Sequence, residues 1–117
     1  MFDLAKLEAE FNQLILDDRA EEAIERFYAA DATLQENLEP PIVGKPAILE
    51  RERGFVANVA AAARPVLHAF GVGEDTTFSE WTYDMTFKDG TRFGLHEVAR
   101  RRWVNGLVVQ ERFYYSR

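Results

Sequence analysis

The sequence predicts an α+β chain, with amphipathic helices leading and an antiparallel meander closing. Three observations carry this. Apolar residues recur at helical spacing from Leu4 to Tyr28 and again after Pro46. From Thr76 onward, β-rich runs are punctuated by Lys88-Asp89-Gly90 and Val104-Asn105-Gly106, and Asp-Gly and Asn-Gly between such runs are strong hairpin signals. Counting those runs by twos also gathers the aromatic residues on one face.

Asp3 can cap a first helix in which Leu4, Leu7, Phe11, Leu14 and Ile15 form the apolar stripe, leaving Glu8 and Glu10 on the outer face. Asp17-Asp18 interrupts the pattern. A second, short helix follows, with Ala20, Ala23, Ile24, Phe27 and Tyr28 turned inward. The run from Asp31 to Leu38 reads as a strand that puts Leu34, Glu36 and Leu38 on one face. Glu36 is the one carboxylate there. It either meets solvent past the sheet edge or sits in an apolar cavity with a raised pKa.

Glu39-Pro40-Pro41 ends that strand, and Pro46 falls in the first turn of a third helix, where proline is tolerated. Ile48, Leu49, Glu52, Phe55, Val56 and Val59 form its face, and its alanine-rich end, Ala60 to Ala63, runs up to Arg64-Pro65. Val66, His68, Phe70 and Val72 then alternate as a strand. His68 reads as a satisfied core or interface histidine or as a ligand or proton-transfer group. His96 falls on a charged face near Glu80 and Asp84, which suits a surface or subunit-interface role.

Gly90 and Gly106 are each expected at the left-handed position of a three-residue loop, pairing Phe87 with Thr91 and Trp103 with Leu107. One face of the meander then carries Trp81, Tyr83, Met85, Phe93, Leu95, Glu97, Ala99, Arg101, Trp103, Val109, Glu111, Phe113 and Tyr115. The other carries Glu80, Asp84, His96, Val98, Arg100, Arg102, Gln110, Arg112 and Tyr114. Glu97, Arg101 and Glu111 therefore sit among large apolar neighbours, where charge is costly unless paired or hydrated. They form either a mutually satisfied ion cluster or the polar part of a ligand pocket.

The chain has 117 residues, 47% of them hydrophobic and 13% aromatic, which fits one domain spanning 1–117 with a single core. Net charge is −6, and the basic residues are interleaved with acids, so a basic nucleic-acid footprint is not expected. There are no cysteines, which removes disulfide scaffolds, thiolate metal sites and cysteine nucleophiles. The two histidines have no metal-ligand spacing, and neither a metal nor a cofactor is indicated. No signal peptide precedes the first helix and no apolar run approaches spanning length, so a soluble cytoplasmic protein without membrane contact is expected.

The segments Phe27 to Ile48 (FYAADATLQENLEPPIVGKPAI) and Arg101 to Tyr115 (RRWVNGLVVQERFYY) resemble the first-strand region and the final hairpin of the nuclear transport factor 2-like superfamily. Within it, the chain resembles the SnoaL-like polyketide cyclases and ketosteroid-isomerase-like proteins. The resemblance implies a cone: a curved mixed β-sheet packed against three N-terminal helices, enclosing a pocket, in a protein that forms homodimers. It aligns the isomerase general base with Glu36. The isomerase tyrosine falls at Asn12 and its acid at Ala99, with Glu97 one step back on the same face. The base position keeps a carboxylate, while the isomerase oxyanion hole is not reproduced.

Two function classes follow. The first is proton-transfer chemistry on a small hydrophobic carbonyl or polyketide-like compound, with Glu36 as general base against Leu34 and Leu38. Trp81, Tyr83, Met85, Trp103, Phe113 and Tyr115 would line the pocket, Arg101 or Glu97 would orient the ligand's polar end, and Glu111 and His68 complete the binding candidates. The second is a non-catalytic ligand-binding or structural homodimer that uses the mixed polar–apolar outer face of the sheet. An adaptor for another protein has no signature in the sequence.

Overall fold

The computed structural model describes residues 2–116. Its elements are α1 (Leu4–Leu16), α2 (Ala20–Phe27), β1 (Tyr28–Glu36), β2 (Ile42–Val43), α3 (Lys45–Ala57), β3 (Val59–Ala62), β4 (Val66–Val72), β5 (Thr76–Phe87), β6 (Arg92–Val104) and β7 (Leu107–Tyr115). One mixed sheet runs β2-β1-β7-β6-β5-β3, and β4 pairs with β5 on the same edge as β3. Only β1 and β7 are parallel neighbours among these strands. The sheet curls into a half-barrel closed by three helices, which is the expected α+β cone. None of the helices is long and apolar enough to cross a membrane.

Asp3 caps α1 by accepting from the Lys6 backbone N–H at 3.2 Å. The stripe of α1 and the inner side of α2 meet the sheet in a core of Phe11, Leu14, Ile24, Phe27, Tyr28, Leu34, Ile48, Trp103 and Val108. Trp103 meets both Phe11 and Phe27 edge-on, at 6.4 and 6.0 Å between ring centroids. Glu8 is not on the outer face as its spacing suggested: it is fully buried, because the helix turns that side onto β5 and β6.

The first strand begins at Tyr28 and stops at Glu36, since Asn37 takes a left-handed φ of 48°. Leu38 therefore leaves the sheet face and is 88% exposed. The third helix stops at Ala57, capped by Asn58, and the alanine-rich segment expected to extend it is strand β3 instead. There the edge of β5 is open to pairing, with Ala61 opposite Thr86 and Ala62 opposite Met85, and sheet hydrogen bonding overrides alanine's helix preference. Val59 accordingly belongs to β3, and Val56 is exposed.

The alternation expected in β4 is broken by a register shift between Leu67 and Ala69. Val66 lies opposite Thr82, whereas Phe70 and Val72 lie opposite Ser79 and Thr77, which face the helices. Directly opposed residues share a face, so His68 stays outside and Phe70 and Val72 cross to the helix side.

The hairpin at Lys88-Asp89-Gly90 is the expected three-residue loop: the Phe87 N–H donates to the Thr91 carbonyl at 2.8 Å, and Gly90 has φ 90°. The second hairpin differs. Asn105 and Gly106 form a two-residue turn with φ of 51° and 78°, so Val104 pairs with Leu107 and Trp103 with Val108. A bulge then falls between Trp103 and Arg102, and beyond it Arg101 lies opposite Glu111, Ala99 opposite Phe113 and Glu97 opposite Tyr115. A two-residue turn plus one bulged residue has the parity of a three-residue loop, so the aromatic face survives. Val108 takes the buried place expected of Val109.

Candidate functional site

The inner face of the sheet is a grid whose rows follow from the register. Glu97 on β6 lies between Trp81 on β5 and Tyr115 on β7; Ala99 lies between Ser79 and Phe113; Arg101 lies between Thr77 and Glu111. At the Arg101 row, α1 supplies Glu8 and Asn12. Arg101 Nη1 donates to Glu8 Oε2 at 2.8 Å and to Asn12 Oδ1 at 3.2 Å, and Nε donates to Glu111 Oε2 at 2.5 Å. Thr77 Oγ1 donates to Glu8 Oε1 at 2.7 Å, Ser79 Oγ donates to Glu8 Oε2, and Trp103 Nε1 donates to Thr77 Oγ1 at 2.8 Å. The guanidinium carbon stands 3.9 Å from the Phe11 ring centre. Two carboxyl groups thus share one buried cation. Burial, and then the charge of Glu8, push Glu111 well above the ordinary carboxylate range.

Beside this cluster the cone holds a cavity of about 190 Å³. For scale, an apolar cavity of about 150 Å³ accommodates benzene. Its sheet wall is formed by Leu34, Tyr83, Met85, Phe93, Leu95, Ala99 and Phe113; helices α1, α2 and α3 supply Phe11, Ile15, Ala20, Ile24 and Phe55. The polar residues on it are Glu36, Arg51, Glu52, Glu97, Arg101 and Glu111, with Tyr115 completing the rim.

Glu97 is 7% exposed and its Oε2 has no hydrogen-bond partner among the described residues. Burial between two aromatic cross-strand neighbours raises its pKa from an ordinary 4.5 to about 7. Arg101 opposes that rise, Glu36 adds to it and Arg51 opposes it. Burial also raises the Tyr83 hydroxyl, with Glu97 adding to the rise, which keeps it a phenol and a hydrogen-bond donor. Glu52 is raised by burial too. Glu36, at the end of β1, is half-buried and engaged by Arg51 Nη2 at 2.5 Å. It is therefore a carboxylate paired through one oxygen, Oε1, to the Arg51 guanidinium.

Glu36, Tyr83, Met85, Glu97, Arg101, Glu111, Phe113 and Tyr115, the candidates read from spacing and resemblance, all line this cavity. Trp81, Trp103 and His68 do not. Trp81 is fully buried, stacked 5.7 Å from Tyr83, with its Nε1 unpartnered among the described residues. Trp103 belongs to the core between α1 and α2. His68 lies on the outer face, where its Nε2 is 2.7 Å from Thr82 Oγ1 and its ring stacks on His96 at 5.2 Å, and His96 Nε2 is 2.8 Å from Glu80 Oε2. Arg51 and Phe11 are cavity residues that sequence reasoning did not assign. Phe11 had helical periodicity as a signal, read as core, whereas an arginine midway along α3 had none. Among the described residues no group of His, Cys, Asp and Glu is arranged to hold a metal ion.

No protein-family model matches the chain, and no curated protein matches it. Solved structures do. A protein from Mesorhizobium loti named as a SnoaL-like polyketide cyclase is similar at TM-score 0.85 and 25% identity, over 97% of this chain and 100% of that one. A nuclear transport factor 2-like protein of unknown function from Burkholderia pseudomallei is similar at TM-score 0.82 and 16% identity, over 99% and 92%. A protein from Catenulispora acidiphila with a ketosteroid isomerase-like fold, solved in complex with trimethylamine, is similar at TM-score 0.70 and 18% identity, over 82% and 75%.

Proposed function

We propose that this chain, which has the cone fold of the nuclear transport factor 2-like superfamily, binds a small, largely apolar carbonyl compound and moves a proton on it. The observation that carries the reading is Glu97: a buried carboxyl in the cavity wall, unpartnered at Oε2 and raised to about 7. A carboxyl tuned toward neutrality can both accept and return a proton at working pH. Glu97 would take a proton from the carbon beside the ligand's carbonyl and return it to the same skeleton. The Tyr83 hydroxyl, on the same wall, would donate to the oxygen as charge develops there. The Arg51–Glu36 pair would orient the polar end of the ligand. Support for a ligand role comes from the apolar lining and from similar folds that include a SnoaL-like polyketide cyclase and a trimethylamine complex.

The assignment of Glu36 as base is the second reading. It is favoured by the position of Glu36 on the same cavity and by its electrostatic contact with Glu97. Hydrogen–deuterium exchange at the α-carbon of single-ring ketones, followed by proton NMR, separates the two. On the first reading, Glu97→Gln lowers exchange by on the order of 10²–10⁴-fold and Glu36→Gln by less than about tenfold. The reverse order installs Glu36 as the base. No acceleration by the native protein leaves a binding module.

The outer face of the sheet is proposed as the seat of a second copy of the chain. It combines exposed Phe78, Val66 and Tyr114 with Arg100, Arg102, Arg112, Glu80 and Asp84, a mixture of apolar groups and charges of both signs that suits self-association.

A further inference from the structure

We propose that the ligand of the cavity carries a protonated amine, which sits against Glu97 and the aromatic wall. This inference rests on the cavity being the ligand site, and it narrows the carbonyl compounds above to those bearing a basic nitrogen.

Charge on the lining is unequal. Glu36, Glu52, Glu97 and Glu111 face two cations, Arg51 and Arg101. Both cations are already engaged: Arg51 by Glu36, and Arg101 by Glu8 and Glu111. No ion pair reaches Glu52 or Glu97 among the described residues, and Glu97 presents a buried oxygen with no donor. An anionic ligand would have to displace a carboxylate from one of the arginines and then face the remaining acids. A neutral ligand would leave Glu97 holding its proton, with nothing to replace it. A cation can take the place of that proton, and Tyr83, Phe93 and Phe113 on the same lining are aromatic residues of the kind that attract an ammonium.

The consequence for the chemistry is that the ligand readies its own base. An ammonium beside Glu97 favours the ionised carboxyl, so binding expels a proton from a group that otherwise keeps it to about pH 7. The titratable and charged groups that share the cavity with Glu97 are Glu36 from β1, Arg51 and Glu52 from α3, Tyr83 from β5, Arg101 from its own strand, and Glu111 and Tyr115 from β7; Arg101, Glu36 and Arg51 act on its charge. Glu8 of α1 stands behind Arg101. Among the carboxyls, Glu97 combines the buried, donorless oxygen with a place in the aromatic wall, so it is the one whose proton the ligand exchanges for its own charge.

The test uses three probes of one shape: benzylammonium, benzyl alcohol and benzoate, titrated by calorimetry and by chemical-shift perturbation. At about pH 8, benzylammonium is expected to bind about tenfold or more tighter than benzyl alcohol, with benzoate weakest. Its affinity should fall by up to about tenfold per pH unit below pH 7, and binding near pH 6 should release about one proton, read from calorimetry in two buffers of different ionisation enthalpy. Glu97→Gln should abolish the preference for the cation while benzyl alcohol still binds. The buffer comparison needs no variant, so it decides the matter even where Glu97→Gln fails to fold. Benzyl alcohol or benzoate binding as tightly as benzylammonium, or no proton release, overturns the amine and leaves the cavity reading intact. No probe shifting any cavity resonance overturns both.

Discussion

Arg101 and Glu8 face each other through a 2.8 Å hydrogen bond with both side chains sealed from solvent, 1% and 0% exposed. Thr77 and Ser79 complete Glu8 by donating to its two oxygens, so its position is built for an acceptor-only carboxylate. Glu111, pushed up by burial, has less need of its charge. Glu8→Gln should therefore cost about 3–5 kcal/mol, because it leaves the Arg101 charge poorly compensated and turns an amide toward a donor. Glu111→Gln should cost about 1 kcal/mol, because the amide oxygen can still accept from Arg101 Nε, in a bond weakened by the lost charge. Urea unfolding of the two variants at neutral pH checks the asymmetry, and equal losses would contradict it.

Glu97 ties stability to pH. Its folded pKa of about 7 lies above the ordinary 4.5, so the folded chain holds a proton that the unfolded chain releases between those values. The associated stability is complete below about pH 4.5 and is lost as pH rises through about 7, up to roughly 3 kcal/mol for a shift of this size. Burial raises Glu52 and Glu111 as well, which adds to the same direction. The native protein should thus unfold at higher urea near pH 5.5 than near pH 8, and Glu97→Gln should flatten that slope.

The Asn105-Gly106 turn sets the register that brings Glu111 to Arg101, and it needs two consecutive left-handed residues. Gly106→Ala would add a Cβ at φ 78°, 2.7 Å from the exposed Phe2 ring. The strain should cost about 1–2 kcal/mol, read as a lower thermal midpoint. Asn105→Gly keeps both left-handed angles available and should cost less than about 1 kcal/mol.

This turn also shows what the sequence made legible. Parity along β6 and β7 could be read from the aromatic residues alone, because a half-buried sheet punishes a one-residue slip on every side chain. The bulge at Trp103 could not: it conserves parity, so no hydrophobic pattern reports it. The buried side of α1 was misread for a related reason. Helical periodicity scores Glu8 as polar and outward, and its partner Arg101 lies 93 residues away. The strand at Val59–Ala62 was hidden by alanine's helix preference, which only an open edge of β5 overrides. In the site, the residues of one strand face were recoverable by counting. The Glu36–Arg51 pair depends on how α3 docks over β1, and nothing local encodes that.

The outer face offers an independent test of self-association. Phe78 is 42% exposed on the sheet face opposite the one that carries Thr77 and Ser79 to Glu8, so Phe78→Glu should leave unfolding within about 0.5 kcal/mol of native. Sedimentation velocity at micromolar concentration should show a dimer for the native chain and a shift toward monomer for the variant. Arg112 is a poorer target, since its Nε ties β7 to the Asn37 carbonyl at 3.0 Å and its loss would disturb the fold.

Glu36 and Arg51 should move the Glu97 titration in opposite directions. The charge of Glu36 helps hold Glu97 protonated, whereas that of Arg51 favours its ionised form. Because the two are themselves paired at 2.5 Å, much of each effect cancels in the native protein. Glu36→Gln removes the repulsion and leaves Arg51 unopposed, so Glu97 should titrate below about 7. Arg51→Gln removes the attraction and leaves Glu36 unopposed, so Glu97 should titrate above about 7. Both replacements are half-buried polar swaps at the cavity mouth, and each should cost about 1 kcal/mol or less of stability. Carbon-detected NMR of the Glu97 side-chain carboxyl reads the midpoint directly in all three proteins. Midpoints on opposite sides of the native value place Glu97 in electrical contact with the mouth of the cavity, where a ligand's charge would reach it. Unmoved midpoints would mean that solvent screens the pair from Glu97, and the amine proposed for the ligand would then have to enter past the mouth to exert its effect.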